Sequence, residues 1–201
     1  MAMKLHYTAN SPFARKVMVC AIARGIEDRI ETIGSNPHAS PEELLKSNPL
    51  SKIPCLVLED GTAVFDSPVI CEYLDSVGEA NGLFPSSGTP RWVRISVMHA
   101  LADGIADALV ARRMHGGAPL DEARSAFLAR QKAAVARGMA VLEADPPKGL
   151  SDIGAIAVAC ALGYLDFRFA DEPWREAHPN LAAWFAEVSP LAPLARTVPG
   201  A

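Results

Sequence analysis

Ser11-Pro12 and Ser67-Pro68 each set a hydroxyl directly before a proline, where a short β-type segment hands over to an apolar helical one. Serine is a favoured helix N-cap and proline suits the first helical position. The same arrangement leaves a hydroxyl beside free backbone N–H groups at the positive end of a helix, where an anion is stabilised. Asp66 precedes the second pair and adds a carboxylate. Between the two lies Ile53-Pro54, a proline at the mouth of a predicted strand, preceded by Lys52. Anion-holding helix starts, one carboxylate and one lysine suit a small ligand that carries both charges.

Other chemistry is poorly represented. The four cysteines, Cys20, Cys55, Cys71 and Cys160, all lie in apolar runs and form no CxxC pair, so they read as small hydrophobes in a reducing compartment. Cys20 falls two turns into an apolar helix, a poor place for a nucleophile. The five histidines show no HExxH spacing, and no metal is expected. Net charge is −4 and the densest basic spot is Arg112-Arg113, so nucleic acid is not an expected partner. No basic segment followed by an apolar run opens the chain, and no apolar stretch approaches the ~20 residues that span a bilayer. A cytoplasmic protein with no membrane association is expected.

The elements that must position these residues alternate at first. Residues 4–8, 29–33, 54–58 and 63–65 read as strands, the last two joined by the turn Glu59-Asp60-Gly61. Residues 12–24, a short segment opened by a capping box at Ser40-Pro41-Glu42-Glu43, and 68–77 read as helices. The order β-α-β-α-β-β-α predicts parallel pairing across the helices and an antiparallel hairpin edge. Residues 78–90, rich in glycine, proline and serine, read as a linker between domains 1–77 and 91–201. Beyond it only helices are expected, at 90–115, 121–144, 152–169 and 179–188, with an irregular tail set by Pro190, Pro193 and Pro199. The third of these is apolar nearly all round and should be the centre of an α-bundle.

Five segments in this order resemble the glutathione S-transferase superfamily, in its small bacterial, YibF-like and theta-like serine-type form. They are Thr8-Ala9-Asn10-Ser11-Pro12-Phe13-Ala14-Arg15-Lys16, Asn48-Pro49-Leu50-Ser51-Lys52-Ile53-Pro54, Phe65-Asp66-Ser67-Pro68-Val69-Ile70, Asp152-Ile153, and His178-Pro179-Asn180-Leu181-Ala182-Ala183-Trp184. The resemblance covers essentially the whole chain. It implies a thioredoxin-like N-terminal domain followed by an α-helical bundle, glutathione as substrate and a homodimer. Two departures stand out. Asp66 replaces the commoner glutamate or glutamine, and Gly149 stands where a serine or threonine usually precedes the buried helix.

The resemblance implies roles residue by residue. Ser11 holds the glutathione thiolate, with the Asn10 amide as the alternative donor. Ser67 takes the γ-glutamyl carboxylate and Asp66 the ammonium. The Ile53 backbone pairs with the central peptide if Pro54 is cis, and Lys52 meets the glycyl carboxylate or is merely a solvated loop lysine. Asp103 reaches the ammonium across a dimer, or is a solvated acid like Asp107. Phe13, Met98, Ala102 and Tyr164 line an apolar co-substrate pocket, or are interdomain core. Arg15 is expected in a salt bridge. The implied reaction is attack of the thiolate on a hydrophobic electrophile, with peroxidase or dehalogenase chemistry at the same site. A non-catalytic ligand carrier or transcription partner is the alternative.

Overall fold

In the computed structural model, which describes residues 2–117 and 119–200, the first third of the chain builds a four-stranded mixed sheet. Strand β1 (Met3–Tyr7) pairs in parallel with β2 (Ile30–Gly34) and antiparallel with β3 (Cys55–Val57), which pairs antiparallel with β4 (Ala63–Val64). The order is β2-β1-β3-β4. Helices α1 (Pro12–Ala23), α2 (Glu42–Ser47) and α3 (Ser67–Val77) connect and follow the strands. β2 begins one residue later than its alternation suggests, because Glu27–Arg29 forms a 3-10 turn that takes Arg29.

The rest is helical: α4 (Pro90–His115), α5 (Glu122–Ala144), α6 (Ile153–Arg168), α7 (Pro179–Val188) and α8 (Ala192–Ala195). Thr89 caps α4 by accepting from the Trp92 N–H, Asp121 caps α5 from Arg124, and Asp152 caps α6 from Ala155. Each side-chain oxygen satisfies one of the donors a helix start leaves free. Every residue of α6 from Ile153 to Leu165 is buried. One apolar core runs without a break from Leu5, Val17 and Ile70 to Ile105, Ile156 and Trp184. No helix of the described residues is long and apolar enough to cross a membrane.

Four expectations need correction. Parallel pairing across the helices holds for β1 and β2 but not for β3, which lies antiparallel against β1 instead. The Ser40 capping box does not form. Ser40 is left-handed (φ 45°) because it ends a 3-10 turn at Pro37–Ala39, and α2 starts after Pro41 with no side-chain cap. The tail is not wholly irregular. Pro193 sits in the first turn of α8, where a missing N–H costs nothing. Arg15 forms no ion pair among the described residues. Its buried guanidinium donates to Thr197 Oγ1 (3.3 Å) and the Leu194 carbonyl (3.2 Å), clasping the tail against α1.

Residues 78–89 carry no helix or strand, yet they are pinned. The Arg24 carbonyl accepts from the Glu79 and Ala80 N–H groups, and the Asp75 carboxylate accepts from those of Leu83 and Phe84. The start of α6 is also held without the side-chain oxygen that Gly149 lacks. Gly149 takes φ +61°, its carbonyl accepts from Trp184 Nε1 (3.1 Å), and Leu83 accepts from the Ile153 N–H.

Candidate functional site

The strand register gathers the residues of interest at one end of the sheet. His6, near the end of β1, pairs with Cys55 at the start of β3, and Leu56 pairs with Val64 at the end of β4. The exits of β1 and β4 and the entrance of β3 are therefore neighbours. α1 starts from the first, α3 from the second, and Ile53-Pro54 leads into the third. Two helix N-termini and one strand entrance thus converge, and both helix dipoles make the place favourable for an anion.

Ser11 is the N-cap of α1. Its Oγ accepts from the Ala14 N–H at 3.2 Å, and its own hydroxyl hydrogen remains available to a second acceptor. Asn10 beside it is exposed, with its N–H bound to Thr8 Oγ1. The second helix start is built differently. Asp66 is the N-cap of α3 but makes no side-chain cap bond, and Ser67 behind it is only 3% exposed. An exposed carboxylate thus stands next to a buried hydroxyl at this end of the sheet, with neither consumed by capping. The Ile53–Pro54 peptide is cis, as the binding reading requires, and so is Phe65–Asp66. The loop before Ile53 is fixed by buried Asn48, which donates to the Lys52 carbonyl (2.9 Å) and accepts from the Leu50 N–H (3.1 Å). Lys52 itself is exposed.

The acids of α4 part company. Asp103 is bound inside its own chain: Lys16 Nζ, 1% exposed, reaches both of its oxygens at 2.7 and 2.6 Å. Lys16 also donates to His99 Nε2 at 2.8 Å, since an ammonium carries hydrogens and no lone pair. Burial, and then the Lys16 charge, push the His99 pKa down to about 3, so the imidazole is a neutral acceptor. Asp107, one turn on, is exposed and has no ion pair among the described residues. Partial burial and the Asp103 charge raise its pKa, Lys52 opposes the rise, and Asp66 adds to it. Asp107 therefore lies within electrostatic reach of both Lys52 and Asp66.

The residues read as pocket lining are mostly core. Ala102 is 1% and Tyr164 5% exposed, and Met98 Sδ packs against Gly154 of α6. Phe13 keeps partial exposure. Cys20 is buried with its thiol turned to the Cys71 carbonyl, and a side-chain hydrogen bond with Cys71, then burial, hold its pKa well above the usual thiol range. No group of three or more metal-binding side chains gathers among the described residues. Sequence reasoning missed the Lys16–His99–Asp103 cluster. Its signals were a lone lysine in an apolar helix and a histidine four residues before an aspartate.

Comparison with known proteins points to one family and one fold. The family description "Glutathione S-transferase, N-terminal domain" matches residues 10–77, and "Glutathione S-transferase, C-terminal domain" matches residues 125–187. The uncharacterized GST-like protein YibF of Escherichia coli K12 is 33% identical, over 98% of each chain. A glutathione transferase family member from Pseudomonas fluorescens Pf-5, solved with bound glutathione, is 40% identical, covers all of both chains and superposes with a TM-score of 0.90. A structure of the same description, with bound S-(propanoic acid)-glutathione, gives 39% identity and a TM-score of 0.84 over 98% of this chain and all of that one.

Proposed function

The chain belongs to the glutathione S-transferase family, and from that premise we propose that it binds glutathione in the cleft and activates its thiol for attack on a hydrophobic electrophile. The observation that carries the reading is the convergence of Ser11, Ile53-Pro54 and Asp66-Ser67 at one sheet end. The glutathione bound by a relative 40% identical supports it.

In this reading the γ-glutamyl carboxylate meets the Ser67 hydroxyl and the N-terminal N–H groups of α3, and the ammonium meets Asp66. The central peptide pairs with the Ile53 backbone and the glycyl carboxylate meets Lys52. The thiol then lies at Ser11, with Asn10 as the alternative donor. A free thiol has a pKa near ~8.5, and lowering it by ~2 units takes about 2.7 kcal/mol. One charge-assisted hydrogen bond with a helix N-terminus is of that order. With an aryl halide, the thiol proton goes to solvent and a C–S bond forms. The C–halogen bond then breaks, and the halide leaves with the electron pair. The thioether of glutathione bound by a relative supports chemistry at sulfur.

The same proposal takes residues 1–77 and 91–201 as the two domains and 78–90 as their connector. Four free, buried thiols suit a cytoplasmic location. Exposed Val93 and Val97 on α4, with Val69 on α3, suit a homodimer.

Retention on immobilised glutathione, followed by turnover of 1-chloro-2,4-dinitrobenzene, tests the reading. Retention with turnover is expected. Retention without turnover would favour a non-catalytic carrier or transcription partner. Neither would remove glutathione from the cleft.

A further inference from the structure

Where the ends of α4 and α6 pass each other, four arginines stand in unequal circumstances. Arg112 is buried, paired with Glu172 and stacked on Phe169. Arg175 is paired with Asp166 at 2.6 Å. Arg168, the last residue of α6, has no carboxylate within ion-pair distance among the described residues. Its guanidinium carbon lies 4.0 Å from the Phe167 ring centroid, and its Nε is buried with no hydrogen-bond partner. Arg113 is exposed and likewise without an acid. Burial pushes the Tyr164 phenol's pKa up, while the Arg168 charge, the hydrogen bond between Arg168 and the phenol, and the Arg113 charge pull it down.

The helix that carries Tyr164 and Arg168 packs against α1. The residue before Tyr164 is Gly163, against which Arg15 of α1 is seated so closely that a Cβ there would lie 2.1 Å from Arg15 Nη1. Arg15 is one helical turn from Ser11, and its N–H bonds to the Ser11 carbonyl. The first turns of α1 therefore rest on the stretch of α6 that carries Tyr164 and, one turn further, Arg168. A buried N–H without a partner is costly to leave unmade. The planar guanidinium fork matches a carboxylate in two parallel bonds.

We propose that the co-substrate bears a carboxylate, held by Arg168 with support from Arg113. This rests on reading the cleft as the glutathione site, and it makes the electrophile an acid with an apolar body rather than a neutral hydrocarbon. Phe13 and the Phe167 ring give the apolar part its contacts, and the arginines fix which end points outward.

Calorimetric titration with S-benzylglutathione and S-(4-carboxybenzyl)glutathione separates the two claims, because it needs no turnover. The unaltered protein is expected to prefer the carboxylated conjugate by about tenfold or more, the scale of one charge-assisted hydrogen bond. Arg168→Met should abolish most of that preference, and Arg168→Lys should keep part of it. Arg113→Ala should trim it two- to threefold, mainly at low salt, as about one exposed charge would. Equal affinities for both conjugates in the unaltered protein, or a preference that survives Arg168→Met, overturns the proposal while leaving glutathione in the cleft. Failure of both conjugates to bind overturns the glutathione reading and this one with it. Circular dichroism checks the fold of each variant; if Arg168→Met does not fold, the unaltered protein's preference and its change in Arg168→Lys decide.

Discussion

Helix α4 carries two aspartates one turn apart in opposite circumstances. Asp103 is closed: Lys16 holds both oxygens, His99 sits 3.3 Å away, and the lysine is 1% exposed. Asp107 is open, exposed and unpaired, and it shares its field with Lys52 and Asp66. The closed cluster ties α1 to α4 and has every partner it needs. The open cluster has charges of both signs and no ion pair among the described residues. Equal residue types on one helix thus do different work, and what separates them is whether a partner lies in the same chain. The variants below attack the closed cluster, then the open one, then the cap beside them.

The largest effect is expected from Lys16→Met. It leaves the Asp103 carboxylate, 20% exposed, without its counter-ion in a partly dry place. Breaking such a pair costs about 3 kcal/mol. Denaturant titration should show the midpoint falling with an unchanged slope. Asp103→Asn should also lose stability. If it instead kept full stability and weakened glutathione as Asp66→Asn does, Asp103 would belong to the open cluster, reached across a dimer.

His99 gives the closed cluster an acid limit. Its pKa is about 3 in the fold against an ordinary 6.5. Below pH 6.5 the unfolded chain takes a proton that the folded chain refuses. The stability is therefore complete above 6.5 and is lost as pH falls toward 3. At full slope the loss is about 1.4 kcal/mol per pH unit. His99→Gln, which keeps an oxygen acceptor for Lys16, should flatten the fall in stability between pH 6 and 4.5, above most carboxylate titrations. An unaltered slope in that variant would mean that His99 is not the group responsible.

These two variants touch what the sequence concealed. Lys16 is 83 residues from His99 and 87 from Asp103, and no local pattern links residues that far apart. Arg15 and Thr197, 182 residues apart, meet for the same reason. What was legible was local. Ser11-Pro12, Thr89-Pro90 and Asp152 announce helix starts because cap and proline preferences act within one turn. The capping box at Ser40 failed because Ser40 ends the 3-10 turn directly before it and takes a left-handed backbone there. The sheet end was only half legible: the β-α-β-α-β-β-α order sets β1 beside β2 in parallel, but it does not predict the antiparallel β1–β3 pairing that brings the entrance of β3 to the exit of β1. Ala102 stood open between pocket lining and interdomain core, because the α4 periodicity marks it apolar but does not say what covers it; at 1% exposure it is core.

On the open cluster, Asp66→Asn should weaken glutathione at least tenfold, because it removes the counter-charge of an ammonium. The loss should shrink in high salt, since the carboxylate is exposed. Ser67→Ala removes one hydroxyl but leaves the N–H groups and dipole of α3. About 1–2 kcal/mol of binding should go, with little dependence on salt. Calorimetry at two ionic strengths distinguishes them. Unchanged affinity in both would mean that glutathione is not what this cluster awaits.

The smallest change in free energy, and the most specific, belongs to Ser11. Its oxygen already accepts from Ala14, so Ser11→Ala should lose roughly 0.5–2 kcal/mol of stability through the cap alone. That loss would occur whether or not a thiolate ever binds, so stability cannot separate a cap from a catalytic donor. The pKa of bound glutathione can. The hydroxyl hydrogen is free of the cap, and if it points at sulfur its removal must raise that pKa, while Thr89→Ala, an equally plain cap at the start of α4, must not. Ultraviolet titration of the thiolate in the two variants makes the test. A rise confined to Ser11→Ala assigns the donor. The same pKa in Ser11→Ala and the unaltered protein moves the role to the Asn10 amide or a backbone N–H of α1, and Asn10→Ala then decides between those two.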